Sequence, residues 1–145
     1  MTYSFPSYVP GIAFAVAALA AVVGLYLMGR GKPLASALTA FGVALLAGGI
    51  IGPMLALDRV VLDDEKLEQT TGFWFAPNVK GFRLAEVVSL TITTDVGRKN
   101  REYEVWIAQL KNGGVKQVDP GDLWEMNGVD IAQRLRKRGI EVRRY

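Results

Sequence analysis

Residues 12–28, IAFAVAALAAVVGLYLM, and residues 34–57, LASALTAFGVALLAGGIIGPMLAL, decide how this chain is read. Each is free of charge, and the basic turn Gly29-Arg30-Gly31-Lys32-Pro33 joins them. At about 1.5 Å rise per residue both reach or approach the roughly 30 Å of a bilayer's hydrocarbon core, the first once it is extended back to Tyr8. The expectation is a helical hairpin crossing a membrane, with helices at about 10–28 and 33–57. A cleaved signal peptide wants a positive start and a shorter apolar run, and residues 2–11 contain no Lys or Arg. Burial within a soluble protein fails on supply, because too little chain remains after residue 57 to cover two helices apolar on all sides.

Charge separates the rest of the chain from this stretch. Residues 1–57 hold only Arg30 and Lys32, whereas residues 58–145 carry 15 Lys/Arg and 14 Asp/Glu. That second part is nearly neutral, so the basic balance of the whole does not point to nucleic acid. The absence of cysteine removes disulfides and thiolate chemistry, and the absence of histidine removes the commonest general base and metal ligand. No charged residue lies inside either span, which argues against a transporter or proton pump.

Within the apolar stretch, small residues recur at helical spacing. Ala13, Ala17 and Ala21 form one stripe, and Ser36, Ala40, Ala44, Gly48 and Gly52 form a longer one with Gly49 beside it. Helices in lipid associate by close packing, which small side chains permit, so the stripes are expected to join the two helices. The longer stripe is also expected to meet another integral membrane subunit. Pro33 suits a first helical turn, and Pro53 predicts a kink near the far end. Tyr3, Phe5 and Tyr8 ahead of Pro10-Gly11 read as an interfacial arm. Two cations at the turn oppose two just after the second span, Arg59 and Lys66, so charge leaves the orientation open.

From Asp58 the period changes to that of strands. Residues 59–62 and 66–70 flank the acidic turn Asp63-Asp64-Glu65, and Gly72 precedes Phe73-Trp74-Phe75, with a turn expected at Ala76-Pro77-Asn78. Val87 to Thr94 is a β-branched strand expected to place Val88, Leu90 and Ile92 on one face. Residues 95–100 read as a polar loop, and the strand with Tyr103, Val105 and Ile107 turns at Asn112-Gly113-Gly114. A helix begins at Asn127 as N-cap, with Asp130 three residues on, and ends at Gly139; residues 140–143 form a last strand or tail.

The hairpin, the Gly72-Phe73-Trp74 step, the strand entry Leu84-Ala85-Glu86-Val87-Val88-Ser89-Leu90 and the closing helix resemble bacterial membrane proteins with a PH-like domain. The resemblance implies a membrane helical hairpin at 1–57 followed by an α+β domain at 58–145. That domain would be a strongly bent, seven-stranded antiparallel sheet or barrel capped by the C-terminal helix, usually cytoplasmic. Some such proteins are linked to assembly of photosynthetic complexes. The loop that binds inositol phosphates in PH domains would here be Asp63-Asp64-Glu65-Lys66, a departure that disfavours headgroup binding. Basic residues gather instead at Arg98, Lys99 and Arg101 and at Arg134, Arg136, Lys137, Arg138, Arg143 and Arg144; with Trp74 they form a candidate lipid or partner surface. No catalytic, metal or cofactor site is expected. The chain reads as a non-catalytic accessory or scaffold subunit of a bacterial inner-membrane complex. The alternatives are a transient assembly factor and an anionic-lipid sensor.

Overall fold

The computed structural model describes residues 1–96 and 102–145. The fold is α+β: a pair of apolar helices followed by two four-stranded sheets and a C-terminal helix. The chain divides into a β-rich unit, residues 1–3, 59–71 and 79–145, and a helical unit, residues 4–58 and 72–78.

In the helical unit, α1 runs Tyr8–Gly29 and α2 runs Leu34–Leu45. A π-helical segment, Leu46–Ile51, continues α2 into α3, Gly52–Leu57. Both helical stretches, 8–29 and 34–57, are long and apolar enough to cross a membrane. The turn between them is a Schellman motif. Gly31 adopts φ 63°, its N–H bonds the Met28 carbonyl at 3.0 Å, and the Lys32 N–H bonds that of Leu27 at 3.1 Å. Arg30 lays its guanidinium 5.3 Å from the centre of the Tyr26 ring. Thr39, the hydroxyl-bearing residue in mid-helix, donates to the Ala35 carbonyl at 2.9 Å.

The β-rich unit holds two sheets. The first has the order β1-β2-β3-β4, with β1 at Thr2–Ser4, β2 at Arg59–Leu62, β3 at Lys66–Phe73 and β4 at Ala76–Arg83. β2 and β3 are antiparallel, Arg59 opposite Thr70 and Leu62 opposite Leu67. Asp63 closes their turn, accepting from the N–H groups of Lys66 at 2.8 Å and Glu65 at 2.9 Å, and these bonds hold its carboxyl below the ordinary carboxylate range. β3 and β4 approach closely at Gly81, where an added Cβ would lie 2.1 Å from the Leu67 carbonyl oxygen.

The second sheet has the order β7-β6-β5-β8: β5 is Val87–Val96, β6 Glu102–Leu110, β7 Val115–Val118 and β8 Glu141–Arg144. β5, β6 and β7 form an antiparallel meander, and β8 pairs with β5 in parallel. A parallel neighbour needs a crossover, which α4 (Asp122–Met126) and α5 (Gly128–Lys137) supply. Leu90, Ile92, Trp106, Ala108, Val118 and Val142 are buried, as are Leu123, Trp124, Ile131 and Leu135 of the helices. The rings of Trp106 and Trp124 meet edge to face at 5.2 Å in this core.

Several sequence expectations change. Two four-stranded sheets replace the single seven-stranded one, and the described residues form no closed barrel. The register shifts between Val87 and Ser89, a bulge that buries Val87 and turns Val88 out to 52% exposure, so Val88 does not share the face of Leu90 and Ile92. Asn127 occupies the N-cap position of α5, yet its amide donates back to the Leu123 carbonyl at 2.8 Å because α4 ends there. Asp130 is thereby free to accept from Arg134 at 2.8 Å and from the Tyr3 hydroxyl at 2.6 Å. Tyr3, read as part of an interfacial arm, is buried in β1.

That Tyr3–Asp130 pair titrates in a definite sense. Burial, then Asp130, pushes the Tyr3 hydroxyl up to about 12, while the bonds from Arg134 and Tyr3 hold Asp130 below the ordinary carboxylate range. The raised Tyr3 value stabilises fully below the unfolded value of about 10 and is lost as pH rises toward 12; the lowered Asp130 value stabilises above about 4 and is lost in acid. Thermal midpoints of wild type and Tyr3→Phe measured against pH should therefore differ between about pH 5 and 9 and converge above pH 10. At Gly81 the obstacle is backbone, which cannot step aside, so Gly81→Ala should lower unfolding stability by about 1–3 kcal/mol, read by denaturant titration.

Candidate functional site

The seam of the helical unit is lined by small residues and two phenylalanine rings, and large aliphatic side chains face outward. Ala13, Gly24, Ala37, Ala47 and Gly52 are buried between the helices, whereas Leu19, Val22, Leu25, Leu38 and Leu45 are exposed, Leu45 to 74%. A Cβ added at Gly48 would sit 2.9 Å from that of Ala17, one at Gly52 would sit 2.7 Å from the Phe14 ring, and one at Gly24 would meet the Phe41 ring at 3.0 Å. The seam is thus built by glycine on one helix receiving alanine or phenylalanine from the other.

The structure distributes the two stripes unevenly over this seam. Ala13 is buried, and Ala17 and Ala21 are half-buried. Of the longer stripe, Gly48 and Gly52 face α1, Ala40 and Ala44 are half-buried, and Ser36 is exposed. Ala37, outside the four-residue series, is the most deeply buried alanine of the pair. The glycines that offer the closest approach are already occupied by α1, so enlarging them would separate the hairpin before it reported on any outside partner.

A second element completes the helical unit. The turn between β3 and β4 falls at Trp74–Phe75 instead of the expected Ala76-Pro77-Asn78, and Pro77 lies in β4, the outermost strand of its sheet, where a missing N–H is tolerated. Gly72, at φ 94°, takes the left-handed backbone this entry requires. Phe73, Trp74 and Phe75 are all exposed, at 45%, 54% and 61%. Phe73 and Phe75 stack at 5.2 Å, and Trp74 stands edge-on to Phe75 at 5.4 Å.

Trp74 makes one polar contact, and its position is informative. Its indole N–H donates to the carbonyl of Gly49 at 2.8 Å. Gly49 is four residues before Pro53, so its oxygen is the one that Pro53, lacking an N–H, leaves without its α-helical donor. The backbone widens into the π segment over this same stretch, the local answer to the proline ring, where the sequence predicted a kink. A side chain from the β3–β4 turn supplies a hydrogen bond to the carbonyl whose α-helical donor position is taken by Pro53.

The basic residues are largely engaged within the β-rich unit. Arg134 pairs with Asp130 at 2.8 Å, Arg143 with Glu141 at 2.7 Å and Arg144 with Glu104 at 2.6 Å. Arg136 donates to the Val142 carbonyl at 3.0 Å, and Arg138 bonds the Asp63 carbonyl and pairs with Asp64 at 3.0 Å. The acidic turn 63–65 is thereby tied to the C-terminal helix. Lys137 stands exposed beside them, and Arg98, Lys99 and Arg101 lie outside the described residues. Among the described residues no group of three acidic side chains is arranged to hold a metal ion.

Compared with family models, curated proteins and solved structures, the chain matches none. Two signals for the Trp74–Gly49 contact were present in the sequence: the carbonyl orphaned by Pro53, and an uncharged run from Gln69 to Val79 between Glu68 and Lys80.

The bond between Trp74 and Gly49 predicts a coupling. Trp74→Phe should destabilise the wild-type chain by about 1 kcal/mol in reversible unfolding, and by much less in a Pro53→Ala background, where a backbone N–H is restored to the Gly49 oxygen. Equal losses in the two backgrounds would show that the indole's contribution is independent of Pro53.

Proposed function

We propose that this chain is an integral membrane protein whose hairpin spans a bilayer and whose β-rich unit, PH-like in kind, stands on one face as a non-catalytic accessory or scaffold subunit of a larger assembly. The observation that carries the membrane reading is the inverted packing of the helical pair. In water, large aliphatic side chains turn inward; here alanine, glycine and the Phe14 and Phe41 rings fill the seam, while Leu19, Val22, Leu25, Leu38 and Leu45 are exposed. That arrangement is stable where the surroundings are as apolar as leucine.

Chain topology supports a single-sided arrangement of everything outside the hairpin. The helices are inserted between β1 and β2, which are neighbours in one sheet, so both ends of the hairpin return to the same side of the bilayer. The reading places that side in the cytoplasm of a bacterium, at the inner membrane. Neighbouring integral subunits and lipid are the proposed partners, with the outward apolar faces of α1 and α2 as the lateral contact. A role in assembling such a complex, photosynthetic or other, uses the same surfaces transiently. Lipid sensing through the C-terminal arginines is disfavoured, since each already has a carboxylate or carbonyl partner.

Two measurements test this. The chain should remain in the pellet when membranes are washed with alkaline carbonate, and it should co-purify in gentle detergent with other integral membrane proteins in fixed proportion. Release into the wash overturns the spanning hairpin; recovery as a solitary protein from native membranes overturns the accessory role.

A further inference from the structure

The depth of the aromatic tip is fixed by one bond. Trp74 donates to the carbonyl of Gly49, eight residues before the last residue of α3, Leu57. At about 1.5 Å per residue the contact lies about 12 Å back along the helix from the end of the apolar stretch. No charge occurs between Glu68 and Lys80, so the turn reaches that level without carrying an ion. Two-residue hairpin turns are ordinarily made by Asn, Asp and Gly, because of the backbone they require. This one has Trp74 and Phe75, with Phe73 stacked on Phe75 at 5.2 Å.

Resting on the reading of the hairpin as a bilayer span, we infer that the β3–β4 tip is a membrane-inserted wedge. Phe73, Trp74 and Phe75 enter the acyl-chain layer below the headgroups of the leaflet nearest Leu57, and lipid covers their outer faces. The chemistry suits that layer. Trp74 has committed its polar atom to Gly49, leaving the ring surface for lipid, and Phe73 and Phe75 carry no polar side-chain atom. An outermost strand carries unpaired backbone groups that hydrocarbon excludes, which limits the inserted part to the turn itself, and Pro77 removes one such donor from β4. Trp74 thus meets two demands: it supplies the donor missing at Pro53 and it seats the hairpin tip against the span.

The chain has no cysteine, so single cysteines report cleanly. Phe75→Cys, Ala76→Cys, Leu45→Cys and Val115→Cys, each labelled with an environment-sensitive NBD fluorophore, would be reconstituted in phosphatidylcholine–phosphatidylglycerol vesicles. Quenching by acyl-chain nitroxide lipids and by aqueous iodide would then be compared. The expected result is at least twofold stronger nitroxide quenching at Phe75→Cys and Ala76→Cys than at Val115→Cys, with iodide quenching reduced by a similar factor. If the two tip sites behave like Val115→Cys while Leu45→Cys stays lipid-quenched, the wedge is overturned and the spanning hairpin stands. If Leu45→Cys is quenched by iodide, the spanning reading fails and the wedge with it. Tip sites shielded from both quenchers indicate a protein cover and also overturn the wedge.

Discussion

A carbonyl oxygen in apolar surroundings needs a donor, and proline has none to give. That constraint shapes the helical unit. Thr39 returns its hydroxyl to Ala35, the turn recovers the last carbonyls of α1 through Gly31 and Lys32, and the one gap opened by Pro53 is met from outside the helix by Trp74. The π segment lies at Gly49, and the aromatic turn that follows the left-handed Gly72 brings the indole to it. Removing the proline would remove the reason for the contact. Its presence converts a hairpin tip that would otherwise be a polar turn into part of the helical unit.

The helical stretches were legible because composition alone determines them: uninterrupted apolar runs of helical length leave few alternatives. Their seam was legible in type but not in membership. A strict four-residue repeat drifts by about 40° per step around a helix of about 3.6 residues per turn, so Ser36 at the start of the stripe is exposed while Ala37 and Ala47, outside it, are buried. Strand positions were also largely readable. Their faces were less so, because one bulge at Val87–Ser89 is enough to reverse inside and outside for Val88.

What escaped sequence reasoning depends on contacts between residues far apart in the chain. Tyr3 looked like an interfacial aromatic because its partner, Asp130, lies 127 positions away. Asp130 in turn looked like a capping residue, since local spacing cannot show that Asn127 is claimed by Leu123 in the preceding short helix. The basic run at 134–138 was read by charge count alone, and the fold adds surface ion pairs of Arg134 with Asp130 and of Arg138 with Asp64. Trp74 was singled out by its neighbours in sequence, yet its use is explained by a proline 21 positions earlier.

The placement of both helices between two adjacent strands bears on how the polypeptide matures. β1 emerges from the ribosome first, but its neighbour β2 follows only after more than fifty further residues. Until the helices have been made and paired, residues 2–4 have no edge to join, and closing so long a loop is entropically unfavourable unless the intervening segment is already compact. Pairing of β1 with β2 therefore follows synthesis of both helices, and burial of the Tyr3 ring belongs to the sheet so completed.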